Sequence, residues 1–109
     1  MKITVTKHDN TLHARLHGSM DISSALQDKE TLLSLLESCQ RIDVDLGLEE
    51  LDTAGIQILL LWRREAANSG VVWTLGKISE PVAEALSVYH LDLGAPFVPA
   101  LREETDDGR

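Results

Sequence analysis

The sequence has one cysteine, few aromatic residues and no long hydrophobic run. Cys39 has no second cysteine to pair with, which excludes an internal disulfide, and its leucine-rich helical context is typical of a small buried thiol. The longest apolar run, residues 58–62, is far shorter than the roughly 18 residues of a membrane-spanning helix. The first residues also lack the hydrophobic stretch of a secretory signal. We therefore expect a cytoplasmic protein that does not insert into a membrane.

Basic residues are scarce as well. The chain has 10 lysines and arginines against 18 aspartates and glutamates, a net charge of −8 at pH 7. Nucleic acids and anionic membrane surfaces require clustered lysine and arginine, whereas the basic residues here are scattered, so we do not expect direct nucleic-acid binding. Residues 102–109 are rich in acid and contain no apolar residue. This composition predicts a disordered acidic tail over residues 101–109.

The rest of the chain has the size and composition of one folded domain. A length of 109 residues suffices for one hydrophobic core but not for two. An apolar fraction of 43% and a charged fraction of 26% are ordinary for a globular protein. We therefore predict a single domain over residues 1–100.

The hydrophobic pattern predicts an α/β domain. Strand-like segments are residues 3–5, 12–16, 41–46 and 71–75, with a further short strand at 97–98. Helical patterns cover residues 24–39, 56–67 and 79–89. The first two strands are separated by a turn signal and form a hairpin, after which helices and strands alternate. Right-handed crossovers then give a mixed sheet with helices packed against it.

Several local signals refine these elements. Ser24 and Gln27 have the spacing of a capping box, and Ser79 is a candidate cap for the third helix, with Pro81 in its first turn. Gly70 is placed to end the second helix in a left-handed conformation. The segment 71–75 lacks clean alternation, which predicts a central strand that is covered on both faces.

The most informative segment is the junction between the third strand and the second helix. Thr53 presents a hydroxyl at the first turn of a largely apolar helix. One interpretation is a helix N-cap, in which this hydroxyl accepts a bond from a free backbone amide. The other is a phosphoacceptor, because a phosphate of about −1.5 to −2 charges is favoured at the positive end of a helix dipole. Asp52 would oppose that added charge.

Residues beside the junction also allow two interpretations. Gly55 either permits close packing of the helix on the sheet or leaves backbone amides open to a partner. Met20 and Leu48 fall in the two predicted polar loops that flank the junction. They are either half-buried loop anchors or exposed interface contacts.

No catalytic or metal-binding pattern is recognisable. Asp21, Asp43, Asp45 and Asp52 would suit a hard cation only if they converged, and we expect separate solvated positions instead. His13 and His17 share a strand face, but no third ligand completes a zinc set, so we expect surface histidines. The glycines form no phosphate-binding loop, and Thr53 has no local base. We therefore predict a protein that is not an enzyme and has no cofactor and no metal.

Four segments, taken in order and spacing, resemble a STAS domain, the fold of anti-sigma factor antagonists. They are Gly18-Ser19-Met20-Asp21, Ile42-Asp43-Val44-Asp45-Leu46, Asp52-Thr53-Ala54-Gly55-Ile56 and Gly70-Val71-Val72-Trp73-Thr74-Leu75. The resemblance covers roughly residues 1–100. It implies a mixed sheet of four or five strands with helices mainly on one side. It also places Thr53 at the family's phosphorylatable position, where most members have serine.

The resemblance further implies a function in partner switching. The unphosphorylated protein would bind a kinase-type anti-sigma factor, and phosphorylation of Thr53 by that ATP-dependent serine/threonine kinase would reverse the binding. Asp21 and Asp52 match family positions that flank the phosphorylation site. The predicted partner-binding residues are Met20, Asp21, Leu48, Asp52, Thr53, Ala54, Gly55, Gln57 and Ile58.

Two other functions remain open at this point. The same motif resembles STAS proteins of bacterial chemotaxis systems and the small STAS subunit of lipid-transport ABC complexes, whose helix around the Thr contacts an ATPase subunit. In that case the protein is a constitutive subunit, and Thr53 is a capping and packing residue. A domain that handles a nucleotide or a lipid is a third class, for which the residues offer no motif. The oligomeric state is open between a monomer and a weak dimer.

Overall fold

The computed structural model describes residues 1–89 and residue 91. The described residues form four strands, three α-helices and one short 3₁₀ helix. In chain order these are β1 (Lys2–His8), β2 (Thr11–Met20), α1 (Ala25–Leu35), the 3₁₀ helix (Leu36–Ser38), β3 (Arg41–Leu51), α2 (Thr53–Asn68), β4 (Val72–Ile78) and α3 (Glu80–Val88). The predicted strand at 97–98 and the predicted tail at 101–109 lie outside the described residues.

The strands form one mixed sheet in the order β1-β2-β3-β4. β1 and β2 are an antiparallel hairpin, and Asp9 takes the left-handed conformation in its turn. β2 pairs with β3 and β3 with β4 in parallel, each through a helical crossover. The α/β class and the mixed sheet are therefore confirmed.

The core lies between one face of the sheet and the helices. Alternate residues of β2 and β3 point into it, and paired positions share the same face: Leu12 with Ile42, Ala14 with Val44 and Leu16 with Leu46. All three helices contribute buried residues to the same cluster, including Leu32, Leu59, Trp62 and Val82. The predicted packing of helices mainly on one side is thereby confirmed.

β4 differs from its prediction as a central strand covered on both faces. It is an edge strand of the described sheet, and the Val72 side chain is 50% exposed. Trp73 faces the core, where its ring meets Trp62 of α2 edge to face with centroids 5.6 Å apart. The segment lacks alternation because Val71, which precedes the strand, is also buried. The apolar run therefore combines a buried loop residue with one core-facing strand position.

The junction between β3 and α2 is shorter than predicted. β3 continues to Leu51, five residues beyond the predicted end, and α2 begins at Thr53. Leu48 extends the alternation of β3 and is fully buried. One residue, Asp52, therefore connects the strand to the helix.

The three predicted capping residues stand at helix ends, but the two serines do not make the predicted capping hydrogen bonds. Gly70 follows α2 with φ of +77°, as expected for a left-handed cap. Ser24 and Ser79 stand at the N-cap positions of α1 and α3, yet neither side chain caps its helix. The Ser24 hydroxyl donates to the carboxylate of Asp28, and the Ser79 hydroxyl donates to the Leu48 carbonyl oxygen at 2.6 Å. Ser79 therefore fastens the start of α3 to β3.

Candidate functional site

Asp52, not Thr53, caps the N-terminus of α2. Its Oδ1 accepts a hydrogen bond of 2.9 Å from the Gly55 amide, and its carbonyl oxygen accepts the Ile56 amide at 3.0 Å. Thr53 is the first residue within the helix. The N-cap interpretation of Thr53 is therefore wrong, because the carboxylate of the preceding residue already fills that role.

Asp52 also ties α2 to the loop between β2 and α1. Its Oδ2 accepts the Ile22 amide at 3.1 Å, and its own amide donates to the Met20 carbonyl oxygen at 3.3 Å. Asp21, in the same loop, accepts bonds from the Ser23 hydroxyl at 2.6 Å and from the Ser23 amide at 3.0 Å. The hydroxyl bond from Ser23 is the largest cause that holds the pKa of Asp21 below its ordinary value. Asp21 and Asp52 thus flank the start of α2, as the resemblance implies.

The Thr53 side chain is exposed and contacts the end of the third helix. Its Oγ1 lies 3.0 Å from the phenolic oxygen of Tyr89, the residue that follows α3. Tyr89 lies three residues after Leu86, within the helical pattern predicted over residues 79–89. Leu86 is buried, but the Tyr89 ring is 49% exposed and reaches the N-terminus of α2. No local sequence signal reports this contact, because the two residues are 36 positions apart.

The predicted binding segment at the start of α2 is only partly accessible. Thr53 and Gln57 are exposed, Ala54 is half-buried, and Gly55 and Ile58 are buried. A Cβ at position 55 would lie 2.5 Å from the Met20 carbonyl oxygen and 2.6 Å from Leu51 Cδ1. Gly55 therefore serves the close packing of α2 against the ends of β2 and β3.

Met20 and Leu48 do not lie in polar loops. They are the last core-facing residues of β2 and of the central part of β3, and both side chains are fully buried. The expectation of half-buried anchors or exposed contacts is therefore wrong. The polar residues around them, such as Ser19 and Glu50, belong to the strand ends and hydrogen-bond each other at 3.0 Å.

Exposed apolar side chains near the junction were not predicted. Ile22 is 79% exposed, beside the amide that Asp52 binds, and Leu26 in the first turn of α1 is 70% exposed. The helical pattern predicted over residues 24–39 includes Leu26, but this side chain does not join the core. Ile22 precedes α1, so helical spacing from Leu26 gave no signal of this exposed pair. We call Ile22, Asp52, Thr53, Gln57 and Tyr89 the junction surface.

A shallow groove continues from the junction surface along α2. Gln57, Leu60, Leu61, Arg63 and Arg64 line a concavity of about 330 Å³. Positions 53, 57, 60 or 61, and 64 recur at helical spacing and therefore lie on one face of α2. Leu60 and Leu61 are half-buried there. This face combines a polar N-terminal end with an apolar middle and a basic C-terminal end.

The four candidate metal-binding carboxylates do not form one cluster. Asp43 is bonded to Arg41 at 3.0 Å and to Thr74, and Asp45 lies 2.9 Å from His13, both on the face of the sheet opposite the helices. Asp21 and Asp52 are at the junction. Across residues 1–89 and 91, no group of three or more histidine, cysteine, aspartate or glutamate side chains is arranged to hold a metal. No described helix combines the length and the apolar character needed to span a membrane.

Solved structures with this fold include anti-sigma factor antagonists. One from Mycobacterium paratuberculosis has a TM-score of 0.72 and 19% identity, over 92% of this chain and 86% of its own. The antagonist SpoIIAA in its unphosphorylated form has a TM-score of 0.66 and 18% identity, over 83% and 82% of the two chains. The Bacillus cell fate determinant SpoIIAA in its phosphorylated form has a TM-score of 0.63 and 17% identity, over 83% and 85%. At these identities the likeness establishes the fold.

The sequence comparison identifies the family. No curated protein sequence matches the chain significantly. The family model described as the Mlab STAS domain matches residues 3–101, nearly the whole chain. The four segments that resembled this family lie at the end of β2, in the first half of β3, at the start of α2 and at the entry to β4. The chain therefore belongs to the STAS domain family.

Proposed function

We propose that this STAS domain is a non-enzymatic regulatory module that binds a partner protein through the junction surface and is switched by phosphorylation of Thr53. The observation that carries the proposal is the exposed Thr53 hydroxyl at the first turn of α2, beside exposed Ile22 and Tyr89. The occurrence of phosphorylated and unphosphorylated forms of SpoIIAA, which shares the fold, also supports it.

The junction surface has the composition of a protein-binding site. Ile22 and Tyr89 supply exposed apolar area, and aromatic residues are enriched where proteins meet. Gln57 and the groove formed by Leu60 and Leu61 continue this area along α2. A partner that lies along α2 would meet apolar side chains in the middle, with acidic groups near Thr53 and basic groups at the far end.

Phosphorylation would change the charge at the centre of this surface. A phosphate adds about −1.5 to −2 charges, which the first-turn amides and the dipole of α2 accommodate locally. Asp21 and Asp52 are already at this end of the helix, so the added charge would make it strongly anionic. A partner that fits the unmodified hydroxyl and its apolar surroundings would then lose affinity through charge repulsion and desolvation.

The partner class follows from the STAS resemblance. We infer a kinase-type anti-sigma factor, which would bind the unmodified protein and, with ATP, phosphorylate Thr53. The accessible members of the predicted partner-binding set would dock together with Ile22 and Tyr89 of the junction surface; they are Asp21, Asp52, Thr53, half-buried Ala54 and Gln57. Buried Met20, Leu48, Gly55 and Ile58 would act by supporting the shape of this surface.

A binding comparison with charge variants tests the proposal. Affinity-tagged protein and its Thr53→Ala, Thr53→Glu and Ser34→Glu variants would be used to capture partners from cells of the source organism. Ser34→Glu adds the same charge at an exposed hydroxyl position of α1. We expect one partner to bind the unmodified, Thr53→Ala and Ser34→Glu proteins and to be lost with Thr53→Glu. Mass spectrometry should find phosphate on Thr53 after incubation with that partner and ATP. Equal capture by all four proteins would contradict the switch.

A second candidate is a constitutive subunit that docks on a transporter ATPase or a chemotaxis protein through the same face of α2. The Thr53–Tyr89 contact favours it, because the hydroxyl already has an intramolecular partner and a packing role. In this case Thr53→Ala and Thr53→Glu would both copurify with the ATPase, and no phosphate would be found on Thr53. Loss of copurification on changing Leu61 to Glu would then place the interface in the groove of α2.

A further inference from the structure

The face of the sheet opposite the helices is covered by three transverse rows of polar side chains. The strand registers align Thr6, His13, Asp43 and Thr74 in the first row. They align Thr4, Arg15 and Asp45 in the second, and Lys2, His17 and Gly47 in the third. The first two rows contain a carboxylate on β3, but the third has glycine at that position.

The carboxylates of the first two rows are already bonded within the sheet. Asp43 accepts from Arg41 and Thr74. Asp45 lies 2.9 Å from His13 and 4.0 Å from Arg15, and its other oxygen accepts the Lys77 amide at 2.9 Å. These two rows are therefore close to internally balanced in charge.

The third row is basic and has a gap. In the described part of the chain, the side chains of Lys2, His17 and Lys77 take part in no ion pair. Gly47 lies on β3 beside His17 and carries no side chain. A Cβ at position 47 would be crowded, at 3.3 Å from the Leu16 carbonyl oxygen and 3.6 Å from His17 Nδ1. Glycine therefore leaves a notch between the basic residues of β2 and β4.

A cavity of about 190 Å³ occupies this notch. Its lining includes Arg15 and His17 from β2, Asp45 and Gly47 from β3, and Lys77 with Ile78 from β4. The lining contains two cationic side chains, Arg15 and Lys77, but one carboxylate, Asp45. Both oxygens of Asp45 are already bonded to neighbouring donors. An arginine has five N–H donors, so the single contact of Arg15 Nε with Asp45 leaves others to bind a second anion. The cavity is locally basic although the chain carries a net charge of −8.

We propose that the notch over Gly47 binds a small organic phosphate, with Arg15 and Lys77 as the phosphate-binding residues. Arginine and lysine are the residues that proteins use most to bind phosphate oxygens, through a planar fork and a point charge respectively. His17 stands at the edge of the same notch as an additional donor. The site lies on the face of the sheet away from α1 and α2, so it is independent of the proposed phosphorylation of Thr53.

The walls of the cavity explain why an organic phosphate would bind better than inorganic phosphate. Ile78, which is 39% exposed, forms part of the lining, together with Leu16 and Leu46. An apolar group attached to the phosphate would cover Ile78, while the phosphate itself meets Arg15 and Lys77. Phenyl phosphate combines these features, whereas benzyl alcohol has the apolar body without the charge.

A titration of the full chain followed by ¹H–¹⁵N correlation spectra tests the proposal. Phenyl phosphate should shift the amide resonances of Gly47, Ile78 and Ser79 and saturate at millimolar concentration. Inorganic phosphate should bind the same residues more weakly, and benzyl alcohol should not bind. Lys77→Gln should weaken phenyl phosphate binding roughly threefold to tenfold, as should Arg15→Gln, because each removes one charge-assisted bond. Lys7→Gln, which removes the same charge from an exposed position of β1, should leave the affinity unchanged.

Several outcomes would overturn the proposal. Shifts that grow linearly without saturation, or that centre on α2, would mean that the notch is not a phosphate site. Equal affinity of the unmodified and Lys77→Gln proteins would exclude the assigned residue. Equal binding of benzyl alcohol would make the notch an apolar site. The same spectra report whether each variant is folded. Lys77→Gln removes no side-chain bond of the described structure, so we expect it to fold. Weaker binding by the folded variant would therefore support Lys77 as a phosphate-binding residue.

Discussion

The hydroxyl of Thr53 at the start of α2 is hydrogen-bonded to the hydroxyl of Tyr89 at the end of α3, with 3.0 Å between the two oxygens. The start of α3 is fastened to β3 by the Ser79 bond to Leu48. A change at Thr53 therefore acts at the opposite end of α3 from this bond. The contact offers a direct route by which modification of Thr53 would be sensed in α3.

Tyr89 is the only tyrosine in the chain, so it can report on this contact by itself. With 3-fluorotyrosine incorporated, we expect the ¹⁹F resonance to move in Thr53→Val, which keeps a similar volume but removes the hydroxyl. Thr53→Glu should move it further, because a carboxylate adds charge beside the ring. The measurement is a one-dimensional ¹⁹F spectrum of each variant.

Thr31→Val is the matched control for this experiment. The Thr31 hydroxyl donates to the Gln27 carbonyl oxygen within α1, away from Tyr89. Its removal should leave the ¹⁹F resonance where it is in the unmodified protein. An identical resonance in the unmodified and Thr53→Val proteins would show that the Thr53–Tyr89 bond does not persist in solution.

Asp52 should matter more for stability than Thr53. Asp52→Ala removes the acceptor for the Gly55 amide and the acceptor for the Ile22 amide, and we expect a loss of about 1–2 kcal/mol in the free energy of unfolding. Thr53→Ala removes one exposed hydrogen bond and should cost about 0.5 kcal/mol. Asp52→Asn retains one acceptor oxygen and should fall between them. Urea unfolding of the three variants gives the ranking, and a loss in Thr53→Ala as large as in Asp52→Ala would return the capping role to Thr53.

Alternation along β2 and β3 was sufficient to predict the fold, because every second residue must face the core in a sheet that is covered on one side. Leu12, Leu16, Ile42 and Leu46 therefore indicated both the strands and their buried face. The predicted end of β3 at Leu46 was too early. Glu49 and Glu50 are typical of a polar connection, but β3 continues through them to Leu51.

The candidate site was predictable in position but not in detail. The order of Asp52 and Thr53 before an apolar helix located the junction, but either residue is a good N-cap by type. The backbone decided between them, since it places Asp52 and not Thr53 opposite the Gly55 amide. The contact of Thr53 with Tyr89 depends on how distant segments pack, and such packing has no local periodicity. The burial of Met20, in contrast, follows the alternation of β2, which continues beyond the predicted strand end at residue 16.

Gly55 offers a test of the close packing at the junction, because the expected sign is opposite to that of ordinary helices. A glycine changed to alanine inside a helix usually gains roughly 1 kcal/mol. Here the new Cβ would lie 2.5 Å from the Met20 carbonyl oxygen, so Gly55→Ala should instead lose about 1–3 kcal/mol. In Gly47→Ala the nearest atom would be the Leu16 carbonyl oxygen at 3.3 Å, and the loss should be smaller. Stabilisation by Gly55→Ala in thermal unfolding would contradict the packing of α2 on β2.

Asp45 should make the stability of the protein depend on pH in the acid range. Partial burial alone would raise the pKa of Asp45, but bonds from the Lys77 amide and His13, with the charges of His13 and Arg15, outweigh it and hold this pKa below the ordinary value of 3.8. Because the folded-state pKa is lowered, the stabilisation is complete above 3.8 and is lost as the pH falls through the lower value.

The stability difference between the unmodified protein and Asp45→Asn should therefore be fully present above about pH 4 and should shrink as the pH falls further. Urea unfolding at a series of pH values measures the free energy of unfolding of both proteins. Taking the difference between them removes the effect of protonating all other carboxylates, because both proteins share these groups. Glu30→Gln, which removes an exposed carboxylate of α1, should follow the unmodified protein at each pH. A stability difference for Asp45→Asn that stays constant from neutral to acid pH would mean that the bonds of Asp45 to His13 and Lys77 do not stabilise its ionised form. The second polar row of the sheet would then lack the charge balance assigned to it.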